Sequence, residues 1–401
     1  MGGVNNMYLN DYQIKALEEM KDSRAVDPKL LNAVVDKHGA MNVFLRFVQE
    51  HEELNICFRG NNSAIEIYYY NHVVWKLSAG KNRFWKVSFN IGHAKDMPNE
   101  VELRKYFKDH DFKMKPDGKT IYMEKSHFTE EDINNDLWCR FKEIMDYYFN
   151  PSNGSPNIEK RWQHKFFKDF HNDKYIFDGL YIYDLEYHQK LPHKEDLFKI
   201  WGLKTDEELK DMRVHSTVMK TDLVPANNEP DFLGVEFDKG KNEACIIFSE
   251  IKSLYDTCGG QSGIYVHLDR MREYLNLDVL IKKRKDEAEA ILKQYAAIGD
   301  INDSYCFDEL SEKLSVKNVL VLTNSQYFNE EQSAVVEWDG KLGAIKYFED
   351  NRDSIIEKAR ASECEIWLLN NIRCDDDRVI SMNNITRLNK ENNYSIKEAM
   401  C

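Results

Sequence analysis

The chain has 401 residues, 42% of them hydrophobic and 12% aromatic, which is apolar material for a sizeable core and more length than one average domain uses. A formal net charge of -14 excludes a protein that coats nucleic acid through overall basicity, but leaves room for an enzyme with a local basic groove. There is no apolar run of about 18 residues or more, and Met1-Gly2-Gly3-Val4-Asn5-Asn6 lacks a basic-then-apolar leader, so the expectation is a cytoplasmic protein with no membrane partner.

In chain order, residues 1–150 read as a smaller α+β domain. Helical periodicity runs through Tyr12–Met20 and Met41–Glu50, and strand-like runs follow at Leu54–Phe58, Ala64–Tyr70, Val73–Leu77 and Phe84–Phe89. A long amphipathic helix is expected from an N-cap at Thr129 to about Tyr148. The stretch Asn150-Pro151-Ser152-Asn153-Gly154-Ser155-Pro156-Asn157 has the composition of a linker and marks the expected domain boundary.

Beyond it, a helix is predicted near Ile158–Phe170 and a strand at Tyr175–Tyr187. A hairpin follows, Asp231–Phe237 and Ala244–Ile251 around the turn Asp238-Lys239-Gly240-Lys241-Asn242. The glycine-rich turn Cys258-Gly259-Gly260-Gln261-Ser262-Gly263 leads into helical sequence as far as about Leu275, and a second helix spans roughly Leu280–Ile298. Short apolar runs at Val316–Leu322 and Cys364–Leu369 have the character of buried strands. This order predicts an α/β domain over 158–401, a mixed sheet flanked by helices with a C-terminal extension.

The chemistry concentrates in the hairpin. Side chains alternate along a strand, so Glu250 and Lys252 project to one side, roughly 6–7 Å apart at Cα, while Ile251 points the other way. An acid and a base on an otherwise apolar strand are costly to bury unless paired or metal-bound. The hairpin can fold Asp231 back beside Glu250, where two carboxylates repel unless a divalent cation joins them. On that reading, neutralising one of them should leave stability unchanged or raise it. Magnesium or manganese suits hard oxygen donors, and Lys252 is then placed to orient or deprotonate water or to stabilise phosphate charge. Asp222 is an alternative ligand should the hairpin register differ. Glu236 falls on the opposite strand face from Asp231 and is expected to stay out of the chemistry.

Pro230-Asp231, eighteen residues, then Glu250-Ile251-Lys252 resembles the PD-(D/E)XK nuclease superfamily, and the resemblance covers about residues 158–325. It implies a restriction-endonuclease-like fold and an endonuclease or exonuclease acting on DNA or RNA. Asp231, Glu250 and the backbone of Ile251 would then be the metal ligands and Lys252 the catalytic lysine. An acidic residue on the first core helix is also implied. Glu159 is the candidate, with Gln163 one turn on, and Asp184 or Glu186 are the alternatives. Gln261-Ser262-Gly263-Ile264-Tyr265 has the spacing of a Q-x-x-x-Y pattern in exonuclease-like branches, with Gly263 an unusual occupant.

The remaining features read two ways. Gly259, Gly260 and Gly263 suit either a phosphate contact or a plain turn, and His267 reads as a helix-surface or packing residue ahead of a ligand. Lys282-Lys283-Arg284-Lys285 suits a solvated helix face before a nucleic-acid contact. Tyr68, Tyr69, Tyr70, Trp75 and Trp85 suit strand packing before base stacking, and Arg59 with His93 is a weaker candidate ligand site. Eight cysteines without a C-x-x-C pair support neither a zinc ribbon nor a redox motif, and Cys57 and Cys245 read as core. The functional expectation is a magnesium-dependent nuclease. Its alternatives are a catalytically idle binding module and a ligand-gated effector, with self-association left open.

Overall fold

The computed structural model describes residues 24–60, 63–69, 72–149, 158–171, 179–185, 205, 230–238, 243–260, 263–275, 278–301, 310–329, 333–375 and 377–395. Packing divides them into two compact units, one within Ser23–Lys168 and Ala290–Cys306, the other within Asp169–Glu289 and Phe307–Cys401. The linker expected at 150–157, the helix at Tyr12–Met20, Tyr70, Glu186, Asp222, Gln261, Ser262 and the hairpin tip 239–242 lie outside the described residues. Among the described residues, no helix is long and apolar enough to cross a membrane.

The first unit begins with α1 (Pro28–Val35) and α2 (Asn42–Gln49). Asp27 caps α1 by accepting from the Lys29 amide at 2.8 Å, and proline at the first position costs no hydrogen bond there. Strands β1 (Leu54–Arg59), β2 (Ala64–Tyr69), β3 (His72–Ala79) and β4 (Trp85–Asn90) are followed by α3 (Glu100–Asp109), β5 (Lys113–Met114) and β6 (Thr120–Lys125). They make one antiparallel sheet in the order β1-β2-β3-β4-β6-β5.

Helix α4 (Asn135–Phe149) packs Trp138 and Phe141 edge-on against Trp75. It starts six residues after the expected cap. Asp132 bonds back to the Thr129 amide at 2.9 Å and closes a separate turn, and Asn134 accepts from the Leu137 amide at 2.9 Å as the working cap. Residues 290–301 belong to this unit because the Gln294 side chain bonds both the amide and the carbonyl of Val26, and the Tyr295 hydroxyl donates to the Ile56 carbonyl.

Burial of Tyr68, Tyr69 and Trp75 decides for packing over base stacking. Arg59 is likewise committed, lying 3.6 Å from Glu66 and donating to the Tyr68 hydroxyl.

The second unit holds the hairpin. Helix α5 (Ile158–Phe170) crosses the boundary between the units. It is followed by β7 (Leu180–Leu185), β8 (Phe232–Asp238), β9 (Glu243–Lys252), α6 (Ile264–Leu275), α7 (Asp278–Ala297), α8 (Leu310–Lys313) and β10 (Leu314–Thr323). A small ribbon of β11 (Gln326–Asn329) and β12 (Ala334–Glu337) precedes α9 (Ala344–Asp350), α10 (Arg352–Ala361), β13 (Cys364–Leu369) and β14 (Thr386–Leu388).

The main sheet runs β14-β13-β10-β9-β8-β7. Strands β9, β10 and β13 are parallel and the outer pairings antiparallel, so the sheet is mixed and the protein α/β, as expected. The parallel strands are buried on both faces and read as continuous apolar runs. One face carries a single cluster in which Ile264, Leu268 and Met271 of α6 join Leu320, Leu322, Ile366 and Leu368 of the sheet and Phe348 and Ile355 of α9 and α10. In the basic run, Arg284 is not solvated: it is fully buried and paired to Glu287 at 2.8 Å.

In the first unit, His93 stacks on His72 and lies 4.3 Å from Tyr148, and burial pushes its pKa down to about 4. The unfolded value is near 6.5, so this neutral imidazole contributes stability fully above that pH and loses it as pH falls toward 4. The expected difference is about 2 kcal/mol at pH 5 relative to pH 7. Denaturant unfolding at both pH values should show a steeper loss for the wild type than for His93→Phe, and parallel losses would disprove the assignment.

Candidate active site

The geometry starts from the β8–β9 ladder. Phe232 pairs with Ser249 and Leu233 with Phe248, so the residue one step earlier, Asp231, stands opposite Glu250 on the same face. Two hydrogen bonds fasten it there: the Asp231 amide donates to the Ser249 carbonyl at 2.7 Å, and the Ile251 amide donates to Asp231 Oδ2 at 2.5 Å. Ile251, the intervening residue, is fully buried, and alternation turns its side chain to the other face.

Glu250 and Lys252 are both buried, and Lys252 Nζ lies 2.7 Å from Glu250 Oε1. His267 Nε2 lies 3.1 Å from that same oxygen. A carboxylate taken out of water needs such partners, and here it has a cation and an imidazole. His267 is therefore more than a packing residue of α6. Its neighbours Ile264, Leu268 and Met271 face the sheet cluster, and His267 reaches Glu250 beside them. The signal in the sequence was its place three residues after Ile264 and one before Leu268, on the apolar side of the helix.

A second carboxylate reaches this face through an irregularity. Along β7, Leu180 pairs with Glu236 and Ile182 with Gly234, but a register shift follows and Asp184 pairs with Leu233. Without the shift Asp184 would oppose Phe232 and face the other way. With it, Asp184 shares the face of Leu233, Asp231, Glu250 and Lys252, and it is fully buried. Gly234 permits the close strand approach, since a Cβ there would sit 2.7 Å from Leu180 Cδ1 and 3.0 Å from the Tyr181 carbonyl oxygen. Glu159, half-buried, and Gln163, buried, stand on the part of α5 that packs with the first unit. Asp184 is thus the acidic alternative that register puts on the face of the hairpin residues.

Helix α6 begins at Ile264, after the glycine turn. A Cβ on Gly263 would lie 2.4 Å from the Cys258 carbonyl oxygen, so the tight turn by itself requires this glycine. Tyr265 places its hydroxyl 2.5 Å from that of Ser354.

Asp231, Glu250 and the Ile251 carbonyl are hard oxygen donors. Among the described residues, no group of three or more His, Cys, Asp or Glu side chains is arranged to hold a metal. Carboxylate and carbonyl oxygens are the donors that a hard cation such as magnesium takes, with water completing its shell.

The opposite face holds a different charge cluster. Glu236 bonds Lys317 and Arg387, and Glu365 bonds the same two cations. Burial pushes the Glu365 carboxyl up, but hydrogen bonds from Arg387 and the charge of Lys317 outweigh it and hold the pKa at about 2. Cys245, only partly buried, has its thiol pKa raised chiefly by burial.

No protein-family model, curated protein or solved structure matches the chain.

Glu236 lies away from Asp231 as the alternation predicts, yet it is not an inert position. Glu236→Gln should lower unfolding free energy by about 2 kcal/mol, because it leaves Lys317 and Arg387 with one carboxylate between them. Equilibrium denaturation measures this, and an unchanged midpoint would show that Glu365 alone neutralises both cations.

Proposed function

We propose that the chain is a divalent-metal-dependent nuclease of the PD-(D/E)XK kind, hydrolysing phosphodiester bonds in DNA or RNA. The observation that carries the reading is the placing of Asp231 directly opposite Glu250, with Lys252 on the same face of the next turn of the pleat. The mixed sheet, with the hairpin leading into a parallel β9–β10 pair, supports a restriction-endonuclease-like fold.

In this reading Asp231, Glu250 and the carbonyl of Ile251 hold magnesium or manganese, with Asp184 a further carboxylate on the same face. The ion would supply charge neutralisation at the scissile phosphate and a more acidic bound water. The residues themselves do the positioning. The Ile251 amide holds one oxygen of Asp231, so its carboxylate cannot rotate freely. Lys252 keeps its ammonium within hydrogen-bond distance of Glu250, where it can orient a water or donate to a phosphate oxygen as negative charge builds. His267 fixes the Glu250 carboxylate from the side of α6. Burial keeps bulk water from screening these charges.

The geometry changes one expectation. Glu250 sits between a cation and an imidazole, so removing its charge weakens two buried contacts instead of relieving repulsion. Glu250→Gln should therefore lower the melting temperature, and rates must be compared well below it.

The test is cleavage of labelled single- and double-stranded DNA and RNA with magnesium, manganese or excess chelator. Activity should require the metal. Asp231→Asn and Glu250→Gln should each lower the rate about 100-fold or more, and Lys252→Ala should lower it strongly while substrate binding persists. Wild-type rates in folded Asp231→Asn and Glu250→Gln proteins would refute the reading, as would full activity after exhaustive chelation.

A further inference from the structure

The first unit carries a groove of about 750 Å³ that no step of the proposed hydrolysis uses. One wall is the outer side of α3, which contributes Arg104, Lys105 and Lys108; Arg104 and Lys108 are one helical turn apart. After α3 the chain turns through Asp111, whose φ is +65°, and runs back as β5, which forms the facing wall, with Met114 on the face of Ile121 and Lys113 on that of Tyr122. Between them the exposed Met114 lies above Phe112 and Ile121, which are buried and form the apolar base of the groove. Strand β5 is the edge of its sheet, and Met114 there is 43% exposed, unusual for a thioether without a partner.

The charge balance of this groove runs against that of the chain. Four cationic residues and one carboxylate, Asp111, line it, while the chain as a whole carries -14. Arg104 is half-buried and held by Glu100 at 2.8 Å, so its guanidinium is oriented. Lys105, Lys108 and Lys113 make no ion pair among the described residues. Like charges gathered without a counter-charge repel one another, and an anion removes that cost.

We propose that this groove binds a nucleotide. The volume lies in the range of small-molecule sites and far exceeds a lone phosphate. Lys105 and Lys108, without ion pairs beside Arg104, call for more than the single charge of a fatty acid. The apolar floor calls for a flat hydrophobic body that a sugar phosphate lacks. A nucleobase on the exposed Met114, with its phosphates among Arg104, Lys105 and Lys108, satisfies both. A free nucleotide and a nucleotide within a single strand present the same chemistry. The inference does not depend on the nuclease reading, since every residue it uses lies in the other unit.

The experiment is calorimetric titration of the full chain, in metal-free buffer so that hydrolysis does not intervene, with ATP, inorganic phosphate and a short single-stranded DNA. ATP or the strand should bind saturably, the tighter of the two identifying the source, and phosphate more weakly than either. Lys105→Glu/Lys108→Glu should weaken binding about tenfold or more. Met114→Asp, an exposed position that should not disturb folding, should weaken it as well. Lys37→Glu, an exposed charge reversal on the same unit, should leave it unchanged. No saturable binding up to about 1 mM, equal binding by the wild type and the double variant, or phosphate binding as tightly as ATP would each overturn the proposal. The proposal survives a failure of the cleavage experiment, because Glu250→Gln should bind nucleotide as the wild type does.

Discussion

The register of β8 against β9 is the constraint on which the candidate site depends. A slip of one residue would turn Asp231 to the face of Ile251 and leave Glu250 opposite an apolar side chain. The register is held from both sides. Phe232, Leu233 and Val235 are fully buried, so a slip would exchange the environments of every side chain in the strand. The Asp231 carboxylate, bound to the Ile251 amide, locks the open end of the ladder where the regular pairing stops. A residue proposed for chemistry thus also closes the hairpin.

The same sheet carries ions on both faces, which is expensive in a core. On one face Glu250 is paired with Lys252 and touched by the His267 imidazole. On the other, Glu236 and Glu365 share Lys317 and Arg387. Breaking a buried pair costs more than the pair contributes when whole, so both clusters act as constraints on arrangement more than as sources of net stability. The second cluster joins β8, β10, β13 and β14 across the parallel core and lets the short edge strand β14 dock through Arg387, whose guanidinium also lies over the Trp367 ring.

The chain divides its chemistry. Carboxylates lie on the mixed sheet of one unit, and a cation-rich groove lies on the edge of the antiparallel sheet of the other. The overall negative charge hides this division, because composition averages over surfaces that the fold separates. A chain of net charge -14 can still present a local surplus of positive charge where one side of a helix brings Arg104, Lys105 and Lys108 together.

Local pattern determined much of this protein. The alternation of Glu250 and Lys252 about Ile251, the hairpin that returns Asp231 to them, and the apolar runs at Val316–Leu322 and Cys364–Leu369 are properties of neighbouring residues, and each stands in the structure close to its expected bounds. The cap of α4 was missed because Thr129 and Asn134 are both capping residues, and the choice rests on a turn closed by Asp132. What only the tertiary structure decided depends on partners far away in sequence. The bulge in β7 turns Asp184 to the site face, a one-residue shift of pairing that no periodicity contains. The rotation of α6 that brings His267 onto Glu250 is set by Ile264, Leu268 and Met271 packing against β10 and β13. The meeting of Glu236 with Arg387 spans 151 residues. Alternation tells which side of a strand a residue takes, but which other residues share that side is decided by the register and packing of the whole sheet.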